Sequence, residues 1–146
     1  MVSSRISFSK GGKALWRILI VDDNFVNRKL LLEILKNTAQ CDVASNGKEG
    51  VEAYRLAIQE NKPYHLILLD VAMPEMDGLE VLRTIRSYEQ SQGVTLGEGI
   101  PIIMVTAFKD PVFDAFNKGC DDYMLKPIQA DVLIDKIIQR LSSQHK

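Results

Sequence analysis

The stretch from Tyr64 to Gly78 (YHLILLDVAMPEMDG) constrains the fold more than any other part of the chain. Its apolar run reads as a buried strand that delivers one carboxylate, Asp70, at its end, and a turn containing Pro74 then leads into a new helix at Gly78. Continuous rather than alternating hydrophobicity is the mark of a strand covered on both faces of a parallel sheet. In an open α/β sheet the loops after the strand C-termini form the crevice that receives ligands, so Asp70 stands where chemistry is expected.

The rest of the chain supplies the sheet around that strand. Arg17 to Val21 (RILIV) is a short β-branched run ending in Asp22 and Asp23, followed by a helix with Asn24 as its N-cap. Val26, Leu30, Leu31, Ile34 and Leu35 recur at helical spacing and are expected on one buried face. Gln40 to Ser45 (QCDVAS) is less apolar and is a candidate for the sheet's edge. Asn46-Gly47 starts a helix reaching about Asn61, with Asn46 as cap and Glu49 placed for a capping box. Its apolar face is Val51, Ala53, Tyr54, Ala57 and Ile58.

After Gly78, the residues Leu79, Val81, Leu82 and Ile85 mark a third helix, which gives way to a polar, Gly-rich connection from Gln90 to Gly99. Ile100 to Thr106 (IPIIMVT) is a fourth strand that ends in a hydroxyl. A short helix is expected from Asp110 to Gly119, then a fifth strand from Asp121 to Leu125 that ends at Lys126-Pro127. A last helix from Gln129 to Ser142 carries Val132, Leu133, Ile137, Ile138 and Leu141 on its apolar side. Five strands alternating with five helices predict an α/β domain with a parallel sheet covered on both faces. Residues 16–142 form that domain, between a flexible leader at 1–15 without helix or strand period and a polar tail at 143–146.

A parallel sheet brings the C-terminal ends of its strands to one edge. Read in order, those ends supply Asp22 and Asp23, then Asp70, Thr106 and Lys126. Three adjacent carboxylates repel unless a cation joins them. Mg²⁺ suits the set, because it takes oxygen ligands, accepts few from protein and keeps the remainder as water or phosphate oxygens. With Thr106 to donate a hydrogen bond to a phosphoryl oxygen and Lys126 to supply positive charge, the constellation describes phosphoryl transfer to a carboxylate. A strand-end Asp alone is usually a turn residue and a lone Lys usually a solvated charge; the ordered combination separates this reading from the ordinary one.

Bulk properties narrow the alternatives. A chain of 146 residues fits one domain, and a formal net charge of -1 gives no general attraction to nucleic acid or to an acidic membrane. No apolar run is long enough to span a membrane, and the two cysteines, Cys41 and Cys120, form no CxxC pair. A cytoplasmic protein with reduced thiols is expected. His65 and His145, at a strand start and in the tail, do not resemble a phosphodonor histidine, and Met73, Met76 and Met104 are expected to pack rather than bind metal.

From Arg17 to Leu141 the chain resembles the receiver domain of two-component response regulators. The likeness is carried by LIVDDN at 19–24, LLDVAMPEMDG at 68–78, VTA at 105–107 and YMLKP at 123–127. It implies a flavodoxin-like doubly wound sheet in the order 2-1-3-4-5, with Asp70 as phosphoacceptor and Mg²⁺ as cofactor. By the same likeness Asp23 would bind the metal directly, Asp22 largely through water, and the backbone carbonyl of Ala72 would complete the protein ligands. Thr106 would contact the phosphoryl group, Lys126 would pair with it, and Tyr123 would be the aromatic that changes rotamer. The implied donor is a histidine kinase or a histidine phosphotransfer protein. The implied output is an altered surface around the fourth helix, fifth strand and fifth helix, for a downstream protein or a homodimer. The LIVDDNFVNRKLL segment is most similar to receivers associated with hybrid histidine kinases.

Ala72 and Phe108 lie two residues beyond Asp70 and Thr106, flanking the approach of water. Neither side chain can orient an attacking water, which predicts a long phosphoryl lifetime. The small Ala107 leaves room for a phosphodonor, and Phe116 in the short fourth helix is expected mainly to pack in the core, with a partner surface beside Tyr123 as the other reading. A phosphatase of the haloacid dehalogenase type would need an acid two residues after its nucleophile, where Ala72 stands. A flavin carrier would need a phosphate-binding loop where Asp22-Asp23 would repel phosphate. A degenerate receiver acting as a phosphorylation-independent binding module is opposed by the complete set of site residues. Few residues follow Leu141, so a stand-alone regulator or a module without its own DNA-binding domain is expected.

Overall fold

The computed structural model describes residues 7–8, 14–71, 73, 75–95, 97–107 and 119–143. Six strands and four helices lie in these segments: β1 (Ser7–Phe8), β2 (Ala14–Val21), α1 (Phe25–Leu35), β3 (Ala39–Ala44), α2 (Gly47–Gln59), β4 (Leu66–Asp70), α3 (Gly78–Ser91), β5 (Ile102–Thr106), β6 (Asp122–Leu125) and α4 (Ala130–Ser143). Of the helix expected from Asp110 to Gly119, residues 110–118 lie outside the described residues, as do Ala72 and Phe108.

β2 pairs in parallel with β3 on one side and β4 on the other, followed by β5 and β6. Counting only the five parallel strands in chain order, the sheet runs 2-1-3-4-5, and β3 is its edge as its weaker apolar content predicts. Side-chain alternation along the strands divides the core in two. Leu19, Val21, Ile67, Leu69, Ile102 and Met104 face α2 and α3. Ile18, Ile20, Leu66, Leu68, Ile103 and Val105 face α1 and α4. Strands buried on both faces explain why β4 and β5 are apolar at every position before the last.

The helix starts follow their caps. The Asn24 side chain accepts from Asn27 N, that of Asn46 from Glu49 N, and that of Asp77 from Glu80 N. Glu49 completes its box one residue early, since its carboxylate accepts from both the backbone N and the Oγ of Ser45 rather than from the backbone N of Asn46.

Several expectations are corrected. Ser7–Phe8 forms a strand antiparallel to Ala14–Leu15, within a stretch where no strand was expected. Leu31 and Leu35 are the buried stripe of α1, whereas Phe25 and Val26 are 66% and 69% exposed and Leu30 is also exposed. The segment from Phe25 to Leu35 is apolar on more than one face, so spacing alone did not select the face that the sheet covers. In α4, Leu133, Ile137 and Leu141 are buried, but Val132 and Ile138 face outward. Cys41 and Cys120 are free thiols, and burial pushes them up to about 12 and about 11.

A buried polar node ties the start of β5 to the start of β6. Arg86 on α3 donates through Nε to the Gly119 carbonyl, through Nη1 to Glu89 Oε1 and the Ile100 carbonyl, and through Nη2 to Asp121 Oδ2. Glu89 Oε2 and Asp121 Oδ2 in turn accept from the amides of Ile100 and Ile102. His65 serves structure: it exchanges hydrogen bonds with the backbone of Arg17 and meets the Trp16 ring edge-on.

Candidate acidic site at the strand ends

β2, β4, β5 and β6 end together, and their terminal residues converge as the strand order requires. Asp70 is paired in register with Val105, next to Thr106, which is opposite Leu125. The Lys126 amide donates to the Thr106 carbonyl at 2.8 Å, fixing where the lysine leaves the sheet, and the Lys126–Pro127 peptide is cis. Asp22, Asp70 and Thr106 are 2%, 5% and 1% exposed, and Asp23 faces solvent.

One carboxylate oxygen from each of Asp22, Asp23 and Asp70 lies within 4.8 Å of the others. Lys126 Nζ stands 3.6 Å from Asp22 Oδ2 and 3.6 Å from Asp70 Oδ1, bridging the two buried acids. Three carboxylates against one ammonium leave two excess negative charges in a largely desolvated pocket when all are ionised. An all-oxygen set with one open, solvent-facing member fits a hard divalent cation that keeps some of its waters.

The loops that carry these residues are held by backbone contacts. The Asp22 amide donates to Ala44 O, its Oδ1 accepts from Asn24 N at 2.9 Å, and its carbonyl accepts from Arg28 Nη1 at 2.8 Å. After Asp70, the Gly78 amide donates to Val71 O at 2.9 Å, and α3 begins so close that a Cβ on Gly78 would run into the Asp70 carbonyl. That close approach explains the glycine at the helix start. Tyr123 is half-buried opposite Met104 and packs against the core under α2 and α3.

Asp22, Asp23, Asp70, Thr106 and Lys126 are thus brought to one edge, with Tyr123 further down β6. Ala72 and Phe108 are outside the described residues. Sequence reading missed Arg28, whose contact with Asp22 O depends on how α1 lies over the sheet and leaves no mark in the apolar pattern.

Fold and site together define a doubly wound domain with an acidic, lysine-bridged pocket at its strand ends. The chain belongs to the response regulator receiver domain family, whose profile matches residues 18–138. It is 37% identical over 136 residues to hybrid signal transduction histidine kinase B of Dictyostelium discoideum, covering 86% of this chain but 7% of that protein's length. Among solved structures, it is similar to the receiver domain of the histidine kinase CKI1 from Arabidopsis thaliana complexed with Mg²⁺ and BeF₃⁻ (TM-score 0.72, 28% identity, 88% of this chain and 90% of that one). It is also similar to a chain in the co-crystal structure of the Saccharomyces cerevisiae phosphotransfer protein Ypd1 with the receiver domain of Ssk1 (TM-score 0.76, 28% identity, 89% and 91% covered). No described helix is long and apolar enough to cross a membrane.

Proposed function

We propose that this domain is a cytoplasmic phosphorylation switch of a phosphorelay, in which Asp70 takes a phosphoryl group from a phosphohistidine with Mg²⁺ as cofactor. The observation that carries the reading is the bridging of the buried Asp22 and Asp70 by Lys126 beside a third carboxylate. Asp23 and Asp70 would hold the ion directly and Asp22 would act largely through water; the Ala72 carbonyl, the further protein ligand that the family resemblance implies, lies outside the described residues. The cation supplies charge neutralisation for the incoming phosphoryl oxygens.

An Asp70 oxygen attacks phosphorus in line with the departing imidazole nitrogen, so the P–N bond breaks as the acyl phosphate O–P bond forms. Lys126 exchanges its contact with the Asp70 carboxylate for one with a phosphoryl oxygen, and the Thr106 hydroxyl donates to another. The group adds roughly -1.5 to -2 charge at neutral pH. Movement of Thr106 toward it vacates space for Tyr123, and the surface around β6, α4 and the helix expected from Asp110 to Gly119 changes for a downstream protein or a second copy. The exposed Phe25, Val26 and Leu30, directly after Asp22-Asp23, support α1 as the apolar face on which a histidine phosphotransfer protein or kinase docks.

Ala72 and Phe108 make the phosphorylated state long-lived, because neither side chain can orient water. Ala72→Asn or Phe108→Glu is expected to accelerate autodephosphorylation, and no acceleration in either would remove that part of the reading. The switch itself is tested by adding Mg²⁺ and beryllofluoride and following backbone amide NMR signals. Large shifts at Thr106, Tyr123 and Lys126 in wild type, absent in Asp70→Ala, are expected; shifts confined to the acidic loops would contradict a switch.

A further inference from the structure

We propose that Arg28 is a positioning residue for the cation site, acting through the peptide that joins Asp22 to Asp23. The inference rests on the Mg²⁺ reading above and assigns a role to a side chain that touches neither metal nor phosphoryl group. Arg28 Nη1 donates to the Asp22 carbonyl at 2.8 Å. That oxygen belongs to the planar peptide unit that leads into Asp23, so holding it fixes both the rotation after Asp22 and the direction in which the Asp23 backbone sets out.

The other polar groups of Asp22 are already committed. Its amide donates to Ala44 O, its Oδ1 accepts from Asn24 N, and its Oδ2 faces Lys126. Asp22 is therefore anchored from β3, from the α1 cap and from Lys126 just past β6. The carbonyl contact extends that anchoring by one residue to the exposed Asp23, whose carboxylate depends on its backbone for its aim. The guanidinium is itself restrained, lying 5.9 Å from the centre of the Phe25 ring. Its charge also adds to the Ser45 hydrogen bonds that hold the Glu49 carboxyl below the usual carboxylate range.

Positioning and electrostatics predict opposite signs. Arg28 is a cation close to an acidic cluster, so by Coulomb's law alone its removal strengthens binding of a divalent ion. If Arg28 aims Asp23, removal weakens binding despite that gain. Outer residues that orient metal ligands typically change affinity by roughly 10- to 100-fold.

The experiment titrates the full chain with Mn²⁺, reading the free ion by electron paramagnetic resonance and displacing it with Mg²⁺, with thermal melts run in parallel. Arg28→Met keeps the aliphatic stem but no donor, and is expected to bind about tenfold more weakly. Arg28→Lys, which restores a donor, is expected to fall between Arg28→Met and wild type. Unchanged or tighter binding by Arg28→Met overturns the proposal, as does a lysine variant as weak as the methionine one. Should Arg28→Met fail to fold, weaker binding by Arg28→Lys than by wild type supports the proposal, and binding equal to or tighter than wild type overturns it. Failure of wild type to bind either ion overturns the site reading itself, and with it the proposal.

Discussion

Replacing Arg86 with methionine keeps most of the side-chain volume and removes the four hydrogen bonds that Arg86 donates to the node between α3, β5 and β6. The damage is not shared equally. Glu89 has an 8% exposed side chain and loses its ion partner at 2.8 Å, whereas Asp121, at 24%, is more open to water. A buried ion pair broken on one side costs about 3 to 5 kcal/mol, because the remaining charge is stranded, while an exposed pair is worth about 0 to 1 kcal/mol. The carbonyls of Gly119 and Ile100 also lose a donor. A loss of about 3 to 5 kcal/mol is therefore expected, a large part of the roughly 5 to 15 kcal/mol that holds a domain together. Urea denaturation followed by circular dichroism measures it. Adding Glu89→Gln to Arg86→Met removes the stranded charge and should recover part of the loss. A loss under about 1 kcal/mol would instead place the node with surface pairs and count against a stranded Glu89 charge.

Val26→Ser with Leu30→Ser should leave thermal stability nearly unchanged and labelling by acetyl phosphate intact, while slowing transfer from a phosphorylated histidine phosphotransfer protein; equal slowing with both donors would argue against α1 as the docking face. Gly78→Ala must push α3 or the Asp70 carbonyl aside, so it should cost stability and slow phosphorylation of Asp70 together, as denaturation and intact mass would record. The Cys41 thiol has its folded-state value raised from 9.0 to about 12, mainly by burial, so the unfolded chain ionises first. Its contribution is complete below pH 9.0 and declines as pH rises toward about 12, and a Cys41→Ala variant should lose stability less steeply across that window.

Much of the site could be read in the sequence because a parallel sheet converts chain order into spatial order. Asp22, Asp23, Asp70, Thr106 and Lys126 each end a recognisable apolar run, and such runs can meet only at one edge. What could not be read depends on rotation and distance. The phase of α1 is ambiguous because apolar residues surround it, so helical spacing groups Val26 and Leu30 with the buried residues, and only the covering sheet selects Leu31 and Leu35. Ser7–Phe8 is too short to show a strand period. Arg86 and Asp121 look like ordinary surface charges until the fold brings them 2.9 Å apart. Arg28 has the same character, its partner being a backbone carbonyl that no residue pattern marks.

In the proposed switch, Asp70 accepts the phosphoryl group with the help of a divalent cation. Incubation with acetyl phosphate and Mg²⁺, followed by intact-mass measurement, tests it most directly. One added phosphoryl group is expected on wild type, lost when the metal is chelated beforehand and lost in Asp70→Ala. A wild type that gains nothing, or an adduct that persists in Asp70→Ala, would contradict it.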